Sequence, residues 1–397
     1  MGVKVNIMTF TSLYPHALRP DFGIFIRNRV LALHRQARVE GEVVAPVPYF
    51  PPVRIVDKWY QHSQVPRQEQ RDGLAIHRPR YLVTPKVGMS LYGLSMYRGA
   101  LATVKRLHAQ RRIDLIDAHF VYPDGFAAVL LGRALEIPVV VSARGSDITL
   151  NLQLPLVNRL VRWTLQRADR VIAVSASLRD LMVAHGTDSG KITVIPNGID
   201  GQTFHPLEQG AARQTLGLPI DARIVLTVCS LVELKGVHLL IEAAALLRAN
   251  GADAVRIVVV GEGPERERLQ QQIVQAGLAD TVQLVGAIPN RELVTWYNAA
   301  DLFFLGSSRE GWPNVVCEAL ACGTPVVATK VNGIPEIVYH DGLGLLVERS
   351  PEAFAEGILT AFHTQWDREF ILERGRRRSW EEVAREVHAL FAEVVKR

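Results

Sequence analysis

Cysteine is scarce in this 397-residue chain. The three present, Cys229, Cys317 and Cys322, are odd in number and lack zinc-ligand spacing, so neither a disulfide framework nor a structural zinc site organises the fold. Nothing near the N-terminus resembles a signal peptide, which together with the few cysteines points to a reducing, cytoplasmic setting. Long apolar runs are missing too. The longest, around residues 126–143, is broken by Arg133 and Glu136 and falls short of the roughly 20 residues that a membrane span requires. No recognised nucleic-acid-binding motif occurs, and no basic stretch interleaved with aromatics that would stack on bases, which argues against nucleic acid as a partner. Internal repeats and low-complexity tracts are absent as well.

Hydrophobic residues make up 48% and charged residues 21%, the composition of an ordinary globular protein. A chain of this length exceeds what one core supports, so two domains of roughly 150–200 residues are expected. The net charge of +5 conceals an asymmetry. Residues 1–200 carry 26 Lys and Arg against 15 Asp and Glu, or +11, while residues 201–397 carry 19 against 25, or −6. The basic half calls for an anionic partner, and anionic lipid or a lipid-linked acceptor satisfies that.

Short β-branched runs alternate with helical patterns throughout, the signature of βαβ units around a parallel sheet. Residues 3–10, 42–45, 113–118, 138–143 and 170–175 read as strands of the first half. Residues 223–229, 255–260, 281–285, 302–305 and 325–328 read as strands of the second. The expected fold class is α/β, with two doubly wound, Rossmann-like domains. Pro196 and Asn197-Gly198 punctuate the junction, giving a first domain over 1–200 and a second over 201–380. The last segment, 381–397, carries Val383, Val387, Leu390, Phe391 and Val394 at helical spacing and is expected to pack back onto the first domain.

The window 307–328 lies between two expected strands and contains Glu310 and Glu318 as E-x7-E. Glu310 falls in the loop and Glu318 about one turn into the following helix, so two carboxylates flank a helix N-terminus. That suits a nucleotide sugar, whose hydroxyls donate to carboxylates while free N–H groups at the helix start face phosphate oxygens. Gly311 permits close backbone approach. Taken alone, such a pair is more often a surface glutamate and a helix-capping one. Lys235, just before Gly236 at an expected βα turn, suits a phosphate contact or, alone, a solvated surface position.

This window resembles the donor-binding motif of family 4 glycosyltransferases, and further matches follow in the right order over nearly the whole chain. Residues 228–241 resemble the strand, loop and helix that hold the donor diphosphate; 168–175, 258–264, Ala300-Asp301 and 332–336 resemble other landmarks. The resemblance implies GT-B architecture, two Rossmann-like domains facing across a cleft, the first binding acceptor and the second the nucleotide-sugar donor. It also implies a retaining, hexosyltransferase-type reaction. By it, Glu318 holds the ribose hydroxyls, Glu310 binds the transferred sugar with help from Gly311, Trp312, Pro313 and Asn314, and Lys235 neutralises the diphosphate. Ser230 departs from the pattern, because many members carry an arginine there. A serine offers one donated hydrogen bond and no charge, and Arg309 is a candidate substitute. Gly23, between the first strand and its helix, brings backbone N–H groups to the diphosphate by the same resemblance, though alone it is an ordinary turn glycine. His119 ends the strand 113–118, where open α/β sheets place ligands, and resembles the family's sugar-facing histidine, so it joins Glu310 as a catalytic candidate. Arg144 and Asp147 follow the next strand as acceptor-side candidates, Asp147 fitting a helix cap equally well.

No D-x-D sequence occurs, and neither metal nor other cofactor is expected; the nucleoside diphosphate sugar is the co-substrate. Lys235, helix N-termini and backbone amides then meet the leaving-group charge. Retention is expected through front-face attack, with a covalent intermediate on Glu310 as the rival route. Two other functions fit the sequence: a nucleotide-sugar-binding protein without transfer activity, motivated by Ser230, and a sugar-nucleotide epimerase on the same scaffold. The expected acceptor is a saccharide or lipid-linked saccharide of cell-envelope polysaccharide or glycolipid synthesis. Residues 49–52 and 82–96 are candidate pocket walls, and the protein is expected to rest peripherally on the inner membrane face. Residues 152–165, with Leu156, Leu160, Val161 and Trp163 beside Arg159 and Arg162, fit a membrane-lying helix or, more commonly, core packing.

Overall fold

The computed structural model describes residues 5–35, 39–49, 57–83 and 88–396. Val3 and Lys4 of the first expected strand, and pocket-wall residues 50–52 and 84–87, lie outside them. The chain divides into two compact units, Met1–Gly198 with Trp380–Arg397, and Ile199–Ser379.

The first unit contains β1 (Val5–Phe10), β2 (Val39–Val44), β3 (Val47–Pro48), β4 (Gln68–Arg71), β5 (Leu74–His77), β6 (Arg80–Tyr81), β7 (Leu115–His119), β8 (Val139–Ala143), β9 (Arg170–Ala173) and β10 (Ile192–Val194). Eight of them form one sheet in the order β10-β9-β8-β7-β1-β2-β5-β4, parallel except for the β4–β5 hairpin; β3 and β6 pair separately. The chain winds outward in both directions from β1, whose Phe10 lies opposite Val44 and Ala118. Loops leaving the carboxyl ends of β1 and β7 therefore diverge and leave the crevice in which doubly wound sheets bind ligands. Every residue of β7 and β8 is buried, which accounts for their reading as continuous rather than alternating strands.

The second unit has β11 (Arg223–Val228), β12 (Val255–Val260), β13 (Val282–Gly286), β14 (Leu302–Leu305), β15 (Val326–Thr329) and β16 (Gly344–Val347). Their order is β13-β12-β11-β14-β15-β16, all parallel, with the reversal of winding between β11 and β14. The α/β class with parallel sheets in two domains is as the sequence implied.

Two helices of the first unit each bury one stripe. In Trp380–Val395 the residues Trp380, Val383, Val387, Leu390, Phe391 and Val394 are buried, and they pack with Ile7, Leu33, Val39, Leu115, Val140 and Ile172 of the first unit. The helix Pro155–Arg167 buries Val157, Val161, Thr164 and Leu165, so core packing describes that face, while Leu156 on the opposite face stays exposed. Phe391→Ala, which empties the centre of the first packing, should lower the urea unfolding free energy by about 3–5 kcal/mol. A loss below about 1 kcal/mol would mean that this stripe is not held against the sheet.

Candidate active site

The carboxyl edge of the second sheet gathers the donor-side candidates. After β11 the chain passes Ser230, which is exposed, and turns through Glu233–Lys235 into the helix Val237–Ala249. Gly236 makes this turn at φ 73°, and a Cβ there would meet the carbonyl oxygen of Gly306 at 2.3 Å, so only glycine fits without displacement. The loop after β14 is bonded to the same turn. Ser308 N–H donates to the carbonyl of Leu234 at 2.8 Å, and the Arg349 guanidinium donates to the carbonyls of Gly306 at 3.1 Å and Glu233 at 3.2 Å. This brings Lys235 and Glu310 into an ion pair. Glu310 Oε1 also accepts from Ser307 Oγ at 2.6 Å, and its backbone N–H donates to Asn332 Oδ1 at 3.2 Å. Asn332 adopts φ 45°, a left-handed conformation that asparagine tolerates better than most residues. Gly311 and Pro313 are buried, Trp312 packs on the core, and Asn314 opens the helix Asn314–Ala321. A guanidinium, that of Arg349, is fixed at this turn.

Glu318 lies one turn into that helix and is buried, with Oε2 accepting from Tyr297 Oη at 2.8 Å. Tyr297 is itself immobilised. Its ring meets Phe204 and Phe303 edge-on, at centroid separations of 5.9 and 5.6 Å, and its carbonyl accepts from Thr324 Oγ1 at 2.7 Å. Burial pushes the Glu318 carboxyl up from 4.5 to about 7, against the opposing hydrogen bonds of Tyr297 and Asn290.

In the first unit, Gly23 turns at φ 70°, and a Cβ there would lie 2.3 Å from the carbonyl oxygen of Leu13. The turn after β1 is anchored by Asp124, which accepts from Ser12 N–H and from Ser12 Oγ at 3.1 Å. His119, the last residue of β7, is fully buried. Its Nδ1 lies 2.6 Å from Arg144 Nη2, and its Nε2 lies 3.2 Å from Asp117 Oδ2 and 3.1 Å from Arg29 Nη2. Since an arginine only donates, Nδ1 accepts, and the ring proton belongs on Nε2 facing Asp117. Burial, reinforced by Arg29, pushes the His119 pKa down to about 3, so the ring is neutral. Burial opposes ionisation of Asp117 as well, but Arg29, with Nη2 2.7 Å from Oδ2, and His119 hold its carboxyl well below the usual range.

Arg144 is half-buried and donates its Nη1 to Asn197 Oδ1 at 2.8 Å. Asp147 is buried and accepts from the backbone N–H groups of Val121 at 2.8 Å, Arg144 at 3.0 Å and Gly145 at 2.8 Å, bracing the loops after β7 and β8. His119, Arg144 and Asp147 are thus brought together at one sheet edge, with both ring nitrogens of His119 engaged and the Asp147 carboxylate given to backbone.

The sequence pattern assigned no role to Arg29, Asp117, Ser307, Tyr297 or Arg349. Arg29 had a signal, a cation in the otherwise apolar stripe Ile26, Arg29, Val30, Leu33 of the helix Ile24–Arg35. Tyr297 had none, because beside Leu293 it reads as plain core. Among the described residues no group of three or more His, Cys, Asp or Glu side chains is placed to hold a metal ion.

Two family models match the chain: residues 208–386 match that described as Glycosyl transferases group 1, and residues 52–202 that described as Glycosyltransferase Family 4. A Bacillus subtilis (strain 168) protein described as the teichuronic acid biosynthesis glycosyltransferase TuaC is 33% identical over 369 residues, covering 91% of this chain and 90% of that one. Among solved structures, sucrose-phosphate synthase from Thermosynechococcus elongatus matches with a TM-score of 0.80 at 21% identity, covering 99% of both chains. Anabaena Alr3699/HepE in complex with UDP-glucose matches with a TM-score of 0.74 at 21% identity, over 98% of this chain and 99% of that one. These likenesses show the GT-B fold.

The raised carboxyl of Glu318 has a defined stability signature. Its folded-state pKa, about 7, lies above the ordinary 4.5, so the proton is bound more tightly in the fold. The associated stability is fully present below pH 4.5 and is lost as pH rises through about 7. Glu318→Gln, which cannot ionise, should therefore gain stability relative to the parent protein between pH 5 and pH 8, by on the order of 2–3 kcal/mol in urea titrations. Parallel pH profiles would show that this carboxyl ionises as freely in the fold as out of it.

Proposed function

Because the chain belongs to family 4 of the glycosyltransferases, we propose that it moves a sugar from a nucleoside diphosphate sugar to a hydroxyl of a saccharide acceptor, with retention at the anomeric carbon. The acceptor in this reading is carried on lipid, in cell-envelope polysaccharide or glycolipid synthesis, and the protein works peripherally at the cytoplasmic membrane face. The role printed for TuaC supports the cell-envelope setting, the UDP-glucose complex of HepE supports a nucleotide-sugar donor, and the +11 charge of residues 1–200 supports an anionic surface. The observation that carries the reading is the convergence of Lys235, Ser307 and Glu310 just before a helix N-terminus, with Glu318 one turn beyond it.

In that arrangement Lys235 and the first N–H groups of the helix Asn314–Ala321 meet the diphosphate. Glu318, its orientation fixed by Tyr297, accepts from the ribose hydroxyls. Glu310 accepts from hydroxyls of the transferred sugar. As the bond between the anomeric carbon and the β-phosphate oxygen breaks, negative charge grows on the leaving phosphate, which Lys235 and the N–H groups would stabilise. The acceptor oxygen bonds to the anomeric carbon on the same face, and its proton passes to a leaving-phosphate oxygen. Charge is met by protein groups throughout, so the reading needs neither metal nor other cofactor. In the first unit, Arg144 and the loops that Asp147 braces are the proposed acceptor side, with the buried, neutral His119 positioning Arg144.

Calorimetric titration with uridine, guanosine and adenosine diphosphate sugars should show selective binding of one series, weakened at least about tenfold by Glu318→Ala and by Lys235→Ala. Affinity should also fall as pH drops from 8 to 6, because the ribose hydroxyls need the ionised Glu318. Binding indifferent to both substitutions would remove the site assignment. Turnover with a saccharide acceptor separates this reading from a donor-binding protein without transfer, and donor conversion without any acceptor would indicate an epimerase. Nuclear magnetic resonance of the first-formed product should show the donor's anomeric configuration; inversion would overturn the proposed chemistry.

A further inference from the structure

Thirteen large hydrophobic side chains are exposed among the described residues, and six of them fall in two short stretches of the first unit: Leu82, Met89 and Leu91, then Leu150, Leu154 and Leu156. Three of these are about two-thirds open to solvent, Leu82 at 69%, Leu91 at 63% and Leu156 at 62%. The two stretches are drawn together in the fold. Tyr122 Oη donates to the carbonyl of Met89 at 2.6 Å, while the Tyr122 carbonyl accepts from Asn151 Nδ2 at 3.4 Å. The turn Met89–Leu91 packs against the helix Pro155–Arg167. Ser95 Oγ donates to the carbonyl of Leu82 at 2.8 Å, which sets Leu82 one helical turn from Leu91.

The segments that carry this apolar cluster hold charge of one sign. Residues 73–113 and 148–168 contain no Asp or Glu. Arg98 is exposed two turns along from Leu91, and Arg159 and Arg167 are exposed on the face of Pro155–Arg167 that carries Leu156, Arg167 lying over the Trp163 ring at 4.9 Å. A second copy of this chain docking by a twofold contact would set these arginines against their own counterparts. A bilayer containing anionic lipid instead takes the leucines into its headgroup boundary and the arginines against its phosphates.

We propose that the surface formed by Leu82, Met89, Leu91, Leu150, Leu154 and Leu156, with Arg98, Arg159 and Arg167, is the face by which this protein lies on an anionic membrane. Tyr122 is three residues beyond His119, and Val121 N–H donates to Asp147 Oδ2, so the surface lies beside the carboxyl-edge cluster of the first sheet. An acceptor carried on lipid then presents its head group to that cluster without leaving the bilayer. The inference rests on the lipid-linked reading of the acceptor.

The test is sedimentation of the full chain with vesicles of phosphatidylcholine alone and of phosphatidylcholine mixed with phosphatidylglycerol, using the parent protein, Leu91→Ser/Leu156→Ser and Arg159→Glu/Arg167→Glu. The parent should bind the mixed vesicles in a salt-sensitive manner and the neutral ones more weakly, and each double variant should lose at least about tenfold. Unchanged nucleotide-sugar binding by calorimetry establishes that the variants are folded. Equal binding by parent and variants, no vesicle binding by the parent, or a lipid-independent dimer abolished by Leu91→Ser/Leu156→Ser would each overturn the inference. Donor binding without vesicle binding leaves the transferase reading standing; vesicle binding without donor binding overturns that reading and not this one.

Discussion

The donor-side geometry of the second unit depends on a contact with no side chain in it, the approach of Gly236 to the carbonyl oxygen of Gly306. Had the turn carried a Cβ, the loop after β14 would stand away from the loop after β11, and Ser308 would not reach the carbonyl of Leu234. The ion pair of Lys235 and Glu310 is thus a product of backbone packing, and Arg349, spending its guanidinium on two carbonyls, holds the same seam shut. Charge is placed by main chain first and by side-chain attraction second.

The two sheet edges show how partner identity, not depth of burial, decides what a carboxyl does. Asp117 and Glu318 are both buried, yet they shift in opposite directions. Asp117 faces a guanidinium that cannot lose its proton, and stays ionised. Glu318 faces the neutral hydroxyl of Tyr297, which stabilises the anion too little to offset desolvation, and is poised near neutrality. The first is fixed as a counter-ion that keeps Arg29 and His119 in place. The second is left to titrate near neutral pH.

Much of the fold was legible because both sheets, apart from the β4–β5 hairpin, are parallel and largely buried, so their strands are short β-branched runs between helical patterns. Other strands lack that signature. β4 is Gln68–Arg71, an edge strand without an apolar residue, and its only sequence mark was the turn pair Asp72-Gly73, with φ 54° and 80°. β16 opens on Gly344 and β10 has three residues, too little pattern for either to declare itself. At the candidate site, residue types and spacing drew attention to Glu310, Glu318, Lys235 and His119. Sequence did not say what each touches, because Ser307, Tyr297, Asn332 and Arg29 reach them through pairings between distant segments. That Leu156 and Val157, adjacent in one helix, face solvent and core respectively is likewise a property of the docked helix.

The helix Trp380–Val395 completes the core of the first unit, although all of Ile199–Ser379 precedes it in the chain. Where the chain enters and leaves that second unit, Ile199 N–H donates to the carbonyl of Arg378 at 2.9 Å, so entry and exit lie side by side. Topologically the second unit is an insertion with its ends already joined, free to fold as soon as it is synthesised. The first unit begins earlier and finishes later, its apolar sheet face uncovered until the whole insertion has emerged, and in that interval it is the part of the protein most in need of protection from aggregation.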